Sequence, residues 1–401
     1  MLRTLRSVLR FGPVELDATT RRLATCADVD DLRRVAKKRL PGGVFDYIDG
    51  AAEDEVTLAA NAAAFQAVQL APRVLRDVSK VDLGTTLLGR PVPAPLVLAP
   101  TGFTRIAHPE GEVAVARAAA QRGLPYTLST LATRSIEDVA AASSGPKWFQ
   151  VYVWRDRGLV QEMVQRAEHE GYEALMLTVD TAVFGRRERD VRRGFTLPPT
   201  IGLGTILDGI RHPAWTWAFV RSDPITFANV RGDATRDGST AVTLSDFINA
   251  QFDPALTWRD IDWLRSITTL PVIVKGIGSA DDARIARDEG VPAIVLSNHG
   301  GRQLDGAPAT LDLLEDAVAV TQGDVEVLLD GGIRRGRDIV TAVALGARAV
   351  CIGRPYLYGL GAGGERGVLH VLDHLLTGAE RTMALLGTPT IGDLSPAVLR
   401  R

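Results

Sequence analysis

The run "VEVLLDGGIRRGRDIVTAVALGARAVCIGRP", residues 325–355, reads as strand, helix, strand. One apolar stretch ends at Asp330 and another, "AVCIG", ends at Gly353. Between them "GRDIVTAVALG" repeats apolar residues at helical spacing. Two strands joined by a helical crossover are parallel neighbours, because a tight turn cannot connect a parallel pair. Both stretches are continuously apolar, the pattern of strands buried on two faces.

The same unit recurs along the chain. "APLVLAP" ends at Pro100, "PYTLST" at Thr130, "WFQVYV" at Val153 and "ALMLTVD" at Asp180. "PVIVKG" at Gly276 and "AIVLSN" at Asn298 complete a set of eight. Segments such as "GEVAVARAAAQRG", "GLVQEMVQRAEHEG" and "SADDARIARDEG" supply helices between them. Eight strand–helix units in 401 residues predict an α/β fold, a (β/α)8 TIM barrel rather than an open doubly wound sheet. Residues 26–396 form the barrel in this reading, and residues 1–25 a short N-terminal arm.

Composition narrows the function. A hydrophobic share of 46% with 23% charged residues belongs to a globular chain with a sizeable core. A net charge of −2 offers no basic field for nucleic acid. Cys26 and Cys351 lie far apart, which suits a reduced, cytoplasmic protein better than a disulfide framework or a zinc site. His370 and His374 are four apart but outside any H-E-x-x-H pattern, so no metal is expected. No apolar run reaches the roughly 18 residues of a spanning helix. The arm, with Arg3, Arg6 and Arg10 among Leu2, Leu5, Val8 and Leu9, reads as a segment packed on the body. An amphipathic contact with an anionic membrane is the alternative.

Barrel chemistry sits at the C-terminal strand ends. Those ends carry Pro100, Thr101 and Gly102; Ser129; Gln150 and Tyr152; Thr178 and Asp180; and Lys275. The last three carry Ser297, His299 and Arg302, then Asp330, Gly331 and Gly332, then Gly353 and Arg354. The glycines of "LLDGGIRRG" and "CIGRP", with Arg334 and Arg354, suit a phosphate, since loops after strands seven and eight commonly bind one. "GLGAGG", Gly359 to Gly364, matches G-x-G-x-x-G formally but lacks the strand, helix and acidic residue of a dinucleotide site.

His299 is the natural proton-transfer group, and Asp180 could orient it. Arg302 would grip a carboxylate in a bidentate pair, with Arg187 assisting. Lys275 would stabilise an anion developing on a bound cofactor. Base and cation thus flank one carbon that bears both a proton and a carboxylate. Some seventy residues, from Gly185 to about Ala255, separate the fourth and fifth strands. The irregular part of this insertion, about 190–255, holds Trp215, Trp217 and Phe219 with Ile206, Ile210 and Val220. It reads as a lid, a membrane or partner surface, or a helix on the barrel's own rim.

"SNHGGRQLDGAPAT" together with "LLDGGIRRGRDIVTAVALGARAVCIGRP" resembles the FMN-dependent α-hydroxy-acid dehydrogenases and oxidases. "APTGFTRIAHPEGE", "LSTLAT" and "KWFQVYVWRDR" bring the resemblance nearest to bacterial, actinobacterial L-lactate dehydrogenases. The resemblance implies FMN held by Pro100, Thr101, Gly102, Ser129, Gln150, Thr178, Lys275 and Ser297. It implies a phosphate met by Asp330, Gly331, Gly332, Arg334, Gly353 and Arg354. A substrate carboxylate would bind Arg302 and Arg187, with Tyr47 and Tyr152 hydrogen-bonding it or the hydroxyl. His299 would be the base, supported by Asp180. Gly102 stands where many members carry alanine, which implies extra room beside the flavin. Leu131 replaces a large aromatic of the plant glycolate enzymes, which implies a substrate bearing a methyl group or more.

L-lactate to pyruvate, with electrons passed to a quinone or another acceptor, is the leading expectation. An oxygen-using oxidase, or a dehydrogenase of a bulkier, mandelate-like acid, is the nearest alternative. FMN-dependent isopentenyl diphosphate isomerase is the alternative from another class, though His299 and Arg302 suit a carboxylate better than a diphosphate. A non-catalytic binding module would need a broken constellation, and every member stands. The resemblance further implies a homotetramer, cytoplasmic or peripheral on the inner face of the cell membrane.

Overall fold

The computed structural model describes residues 15–193, 203–230 and 250–400. Eight parallel strands close into a barrel. They are β1 Leu96–Leu98, β2 Tyr126–Leu128, β3 Lys147–Val151, β4 Ala174–Thr178, β5 Val272–Ile277, β6 Ala293–Leu296, β7 Glu326–Asp330 and β8 Ala349–Ile352. Each pairs with the next in chain order, and β8 closes onto β1 through Cys351 opposite Val97. Every one of the eight apolar runs became a barrel strand.

The continuous apolar reading has a direct cause. Val97, Met176, Ile273, Val295, Leu328 and Cys351 fill the barrel interior, together with Trp148. Their neighbours Leu96, Leu98, Leu175, Val274, Ile294 and Leu329 face the surrounding helices. Both faces of each strand are dry. An antiparallel ribbon, Thr85–Leu87 with Arg90–Val92, contributes Leu87 and Val92 to the inner cluster.

Helices precede, punctuate and follow the barrel. Before it come α1 Ala18–Leu23, α2 Val29–Arg39, α3 Gly42–Asp49 and α4 Val56–Ala67. After β1 comes α5 Gly111–Gln121, then α6 Ile136–Ala142 and α7 Arg157–His169. The insertion holds α8 Glu188–Arg193, α9 Leu203–Arg211 and α10 Pro213–Arg221. The remaining crossovers are α11 Arg259–Ser266, α12 Ala280–Asp288, α13 Leu314–Thr321 and α14 Gly336–Ala344; α15 Arg354–Gly363 and α16 Glu365–Leu386 close the outer layer. Helix starts are chemically marked: the Asp28, Ser135 and Ser279 side chains accept from the backbone N–H of Asp31, Asp138 and Asp282.

The expected arm is docked where it can be described. Asp17 caps α1, Leu23 is buried, and Arg22 donates to the Ala362 carbonyl at 2.8 Å. The basic stretch from Arg3 to Arg10 lies outside the described residues. "GLGAGG" falls in α15 and its junction with α16, where Gly359 and Gly367 pack backbone against backbone.

Asp49 ties three parts of the chain together. Its carboxylate accepts from Arg33 at 2.5 and 2.8 Å, Arg189 at 2.9 Å and Tyr358 at 2.8 Å. Burial pushes this carboxyl up, but Arg33, Tyr358 and Arg189 outweigh it and bring it down to about 2 from 3.8. A depressed carboxyl stabilises the fold above its unfolded value and loses that contribution as pH falls through its folded value. Stability is therefore expected to drop by about 2.5 kcal/mol in all between roughly pH 5 and pH 1 on this account, most of it by pH 2. Urea midpoints measured at pH 5, 3 and 2 check it, and Asp49→Asn should flatten that acid limb.

Candidate active site

A cavity of about 690 Å³ opens at the C-terminal ends of the strands. Its wall includes Tyr47, Pro100, Thr101, Gly102, Ser129, Gln150, Tyr152, Thr178 and Arg187. It continues through Lys275, His299, Arg302, Asp330, Gly331, Gly332, Arg334, Gly353 and Arg354. Asp180 and Ser297 stand just behind this wall and hold residues that form it.

His299 follows β6 on a turn in which three successive residues are left-handed: His299 at φ 55°, Gly300 at 62° and Gly301 at 76°. Only glycine takes that conformation freely, so the histidine's backbone is held there by its surroundings. The backbone N–H of His299 donates to Ser297 Oγ at 3.0 Å. Its Nδ1 lies 2.9 Å from Asp180 Oδ1. The carboxylate can only accept, so Nδ1 carries the hydrogen and Nε2 is left for the cavity. Burial pushes the Asp180 carboxyl up, but His299 and Lys275 outweigh it and hold it below the usual range. Asp180 gets this close because β5 bulges at Gly276, φ 110°, where any Cβ would fall 2.8 Å from that of Asp180.

Lys275 is buried, with Nζ 2.9 Å from Ser297 Oγ and 3.2 Å from Asp330 Oδ2. Burial alone would push its ammonium down; Asp330 and Asp180 more than reverse that and hold it charged. Ser297 Oγ in turn donates to Asp330 Oδ2 at 2.8 Å. Asp330 pairs with Lys275, and a carboxylate in that position suits a hydroxyl donor better than a phosphate. Its free Oδ1, buried with no partner among the described residues, suits a hydroxyl donor.

Arg354 also differs from expectation. Its Nε, Nη1 and Nη2 donate to the carbonyls of Ile48, Gly300 and Gly50, which fastens the His299 turn to α3. It brings charge to the cavity, with one hydrogen left on each Nη. Gly331 and Gly332, both at φ 88°, wrap the β7 end around Asn61 so tightly that a Cβ on Gly332 would sit 2.2 Å from the Asn61 carbonyl. Gly353 precedes the first turn of α15, a favourable end for an anion.

Arg302 and Arg187 stack against the Tyr47 ring, 5.1 and 5.5 Å from its centre. Nη1 of Arg302 donates to the Tyr47 and Gly50 carbonyls at 2.7 and 2.9 Å, so a carboxylate would meet its Nε and Nη2 edge. Burial pushes the Arg302 guanidinium down, and Arg187 and Arg354 add to that. A buried cation crowded by cations is an anion site by electrostatics alone.

Several wall residues escaped the sequence reading. Phe103 and Phe227 meet edge to face, centroids 4.6 Å apart, and Phe184 meets Phe252 at 4.5 Å. Asp190, Arg186 and Gln303 also line the cavity. Gly102 packs closely on Leu131: a Cβ there would stand 3.2 Å from Leu131 Cβ.

The profile of the FMN-dependent dehydrogenase family matches residues 36–401. The chain belongs to that family. It is an FMN-dependent oxidoreductase. A Mycobacterium tuberculosis protein bearing the provisional name L-lactate dehydrogenase is 46% identical over 98% of this chain and 94% of its own. An L-lactate oxidase from Nostoc is 45% identical over 92% and 96%. The crystal structure of the monotopic membrane protein (S)-mandelate dehydrogenase superposes with a TM-score of 0.90 at 42% identity, over 94% of this chain and 99% of that one.

The cavity fits the family's cofactor. Gln150 Oε1 accepts from Ser129 Oγ at 2.9 Å and from the Thr130 backbone, leaving the buried Nε2 with no partner among the described residues. Thr178 Oγ1 is likewise buried with no partner among them. Two such polar groups on the neighbouring strands β3 and β4 are costly unless a ligand completes them. A flavin ring edge offers the acceptor and donor they lack.

Proposed function

We propose that the chain oxidises an L-2-hydroxy acid, L-lactate to pyruvate in the first instance, and passes the electrons to a quinone or another separate acceptor. The observation that carries this is the meeting, in one cavity, of the Asp180-held His299 with the Arg302 and Arg187 cations. FMN supplies the two-electron acceptor. Gln150, Thr178, Ser129 and Lys275 would hold its ring, Asp330 a ribityl hydroxyl, and Gly332, Arg334, Gly353 and Arg354 its phosphate. Arg302 and Arg187 would hold the carboxylate, and Tyr47 and Tyr152 would fix the hydroxyl. His299 Nε2 then takes one of the two protons lost by the substrate, and Asp180 stabilises the imidazolium. The Lys275 ammonium offsets negative charge arriving at the ring edge.

An anaerobic visible spectrum titrated with L-lactate, and separately with D-lactate, tests the reading. Bleaching of a yellow chromophore by the L-isomer supports it; colour untouched by any 2-hydroxy acid removes it. Phe103, Phe227 and Leu131 around Gly102 favour one second reading, a bulkier acid, which (S)-mandelate in the same titration addresses. Recovery of colour in air separates oxidase from dehydrogenase. A native mass measurement tests the homotetramer.

The family likeness to a monotopic enzyme supports peripheral contact with the inner face of the cell membrane. Among the described residues no helix is long and apolar enough to span a bilayer. On α9 and α10, however, Ile206, Leu207, Ile210, Trp217, Phe219 and Val220 are exposed beside Arg211 and Arg221. Deleting 205–228 would also remove Phe227 and the Asp223 and Pro224 carbonyls that Arg105 grips, so substitution is the cleaner test. Ile210→Ser with Trp217→Ser, at sites 67% and 60% exposed, is expected to weaken binding to anionic vesicles about 10-fold or more with FMN content unchanged. Equal sedimentation with vesicles would remove the membrane reading.

A further inference from the structure

Asp190 is an acid in a site built to attract acids. It lies on α8, only 8% exposed, and lines the cavity beside Arg187 and Arg302. A carboxylate there competes with a substrate carboxylate unless it does something else. Its geometry says what. Asp190 Oδ2 stands 3.2 Å from Nε of Arg187, and no other ion pair of Arg187 occurs among the described residues. An ion pair at Nε draws the guanidinium toward Asp190 by charge and leaves its two Nη groups on the opposite edge.

We infer that Asp190 is a positioning residue that holds Arg187 by Nε and so presents its Nη groups to the substrate carboxylate. The inference rests on the proposed reading of the cavity as a carboxylate site. The groups facing Asp190 are Arg187 on its own segment, Arg302 from the His299 turn, and Asp46 and Tyr47 from α3. Burial pushes its carboxyl up, only partly opposed by Arg187 and Arg302. Protonation of Asp190 releases Arg187, so the grip on the substrate loosens as pH falls.

The holoenzyme is compared with Asp190→Asn and Asp190→Glu, reading two quantities at each of several pH values. One is the dissociation constant of oxalate, a carboxylate with no C–H bond to oxidise, followed by its perturbation of the flavin spectrum. The other is the limiting rate of flavin reduction by the accepted 2-hydroxy acid. Near neutral pH, Asp190→Asn should weaken oxalate about 10-fold or more, while the limiting rate stays within about 3-fold. Asp190→Glu should recover part of the loss. The variant-to-native ratio of dissociation constants should shrink toward one as pH is lowered; taking the ratio cancels titrations common to both proteins. An unchanged oxalate constant, or a ratio independent of pH, overturns the role of Asp190 while the site reading stands. If no carboxylate perturbs even the native flavin, the site reading fails and this inference goes with it.

Discussion

His299→Asn is expected to stay yellow and to reduce its flavin with the accepted L-2-hydroxy acid about 10⁴-fold more slowly than the native protein. Asparagine isolates the chemistry from the fold. It tolerates the left-handed backbone that His299 adopts at φ 55°, where alanine would add strain. Its amide can still donate to Asp180, so the buried carboxylate keeps a partner. What it lacks is a basic nitrogen facing the cavity. Anaerobic stopped-flow reduction at saturating substrate measures the loss. A rate within about 10-fold of native would mean that His299 is not the base.

Arg302→Lys is expected to lower kcat/KM by about 10³-fold, mostly through substrate binding. An ammonium keeps the charge but cannot present two parallel N–H groups to a carboxylate. It also removes the Nη1 hydrogen bonds to the Tyr47 and Gly50 carbonyls, the second of which keeps its bond from Arg354. Adding free guanidinium to the variant should restore part of the activity if the fork is what matters. A kcat/KM within about 5-fold of native would assign the carboxylate to Arg187 instead.

The barrel was legible because each strand carries its own local record, an apolar run closed by a polar end, and β/α units can be assembled in few ways. The base and its cation were legible for a similar reason, since His299 and Arg302 share one short turn. Residues whose roles depend on distant segments meeting were not. Asp190 is one of two acids in "RRERDVRR", and nothing in that run says that it shares a cavity wall with Tyr47 of α3 and with Arg302. Phe227 gains meaning only against Phe103, about 120 positions earlier. Arg354 also fastens the His299 turn to α3 through three backbone carbonyls, a second task that no sequence pattern announces. The Lys275–Asp330 pair, which moved Asp330 away from the phosphate, is likewise a meeting of two strands.

Two of the posts that hold the insertion stand at the catalytic mouth. At one, Gly185 passes so near the Arg302 and Gln303 carbonyls that a Cβ would clash, and its N–H donates to Gln303. At the other, Arg105 holds the Asp223 and Pro224 carbonyls, while Trp215 donates to Ile106. Both posts stand on loops of the catalytic mouth rather than on strands. A push on the outer face of α9 and α10 therefore has a route to the Gly102–Phe103 and His299–Arg302 loops. Residues 187–193 of the insertion belong to the site itself, through Arg187 and Asp190, whereas the outer faces of α9 and α10 do not. A lineage could thus re-surface those two helices, suiting them to a bilayer or to a soluble partner, while the machinery beneath keeps its dimensions.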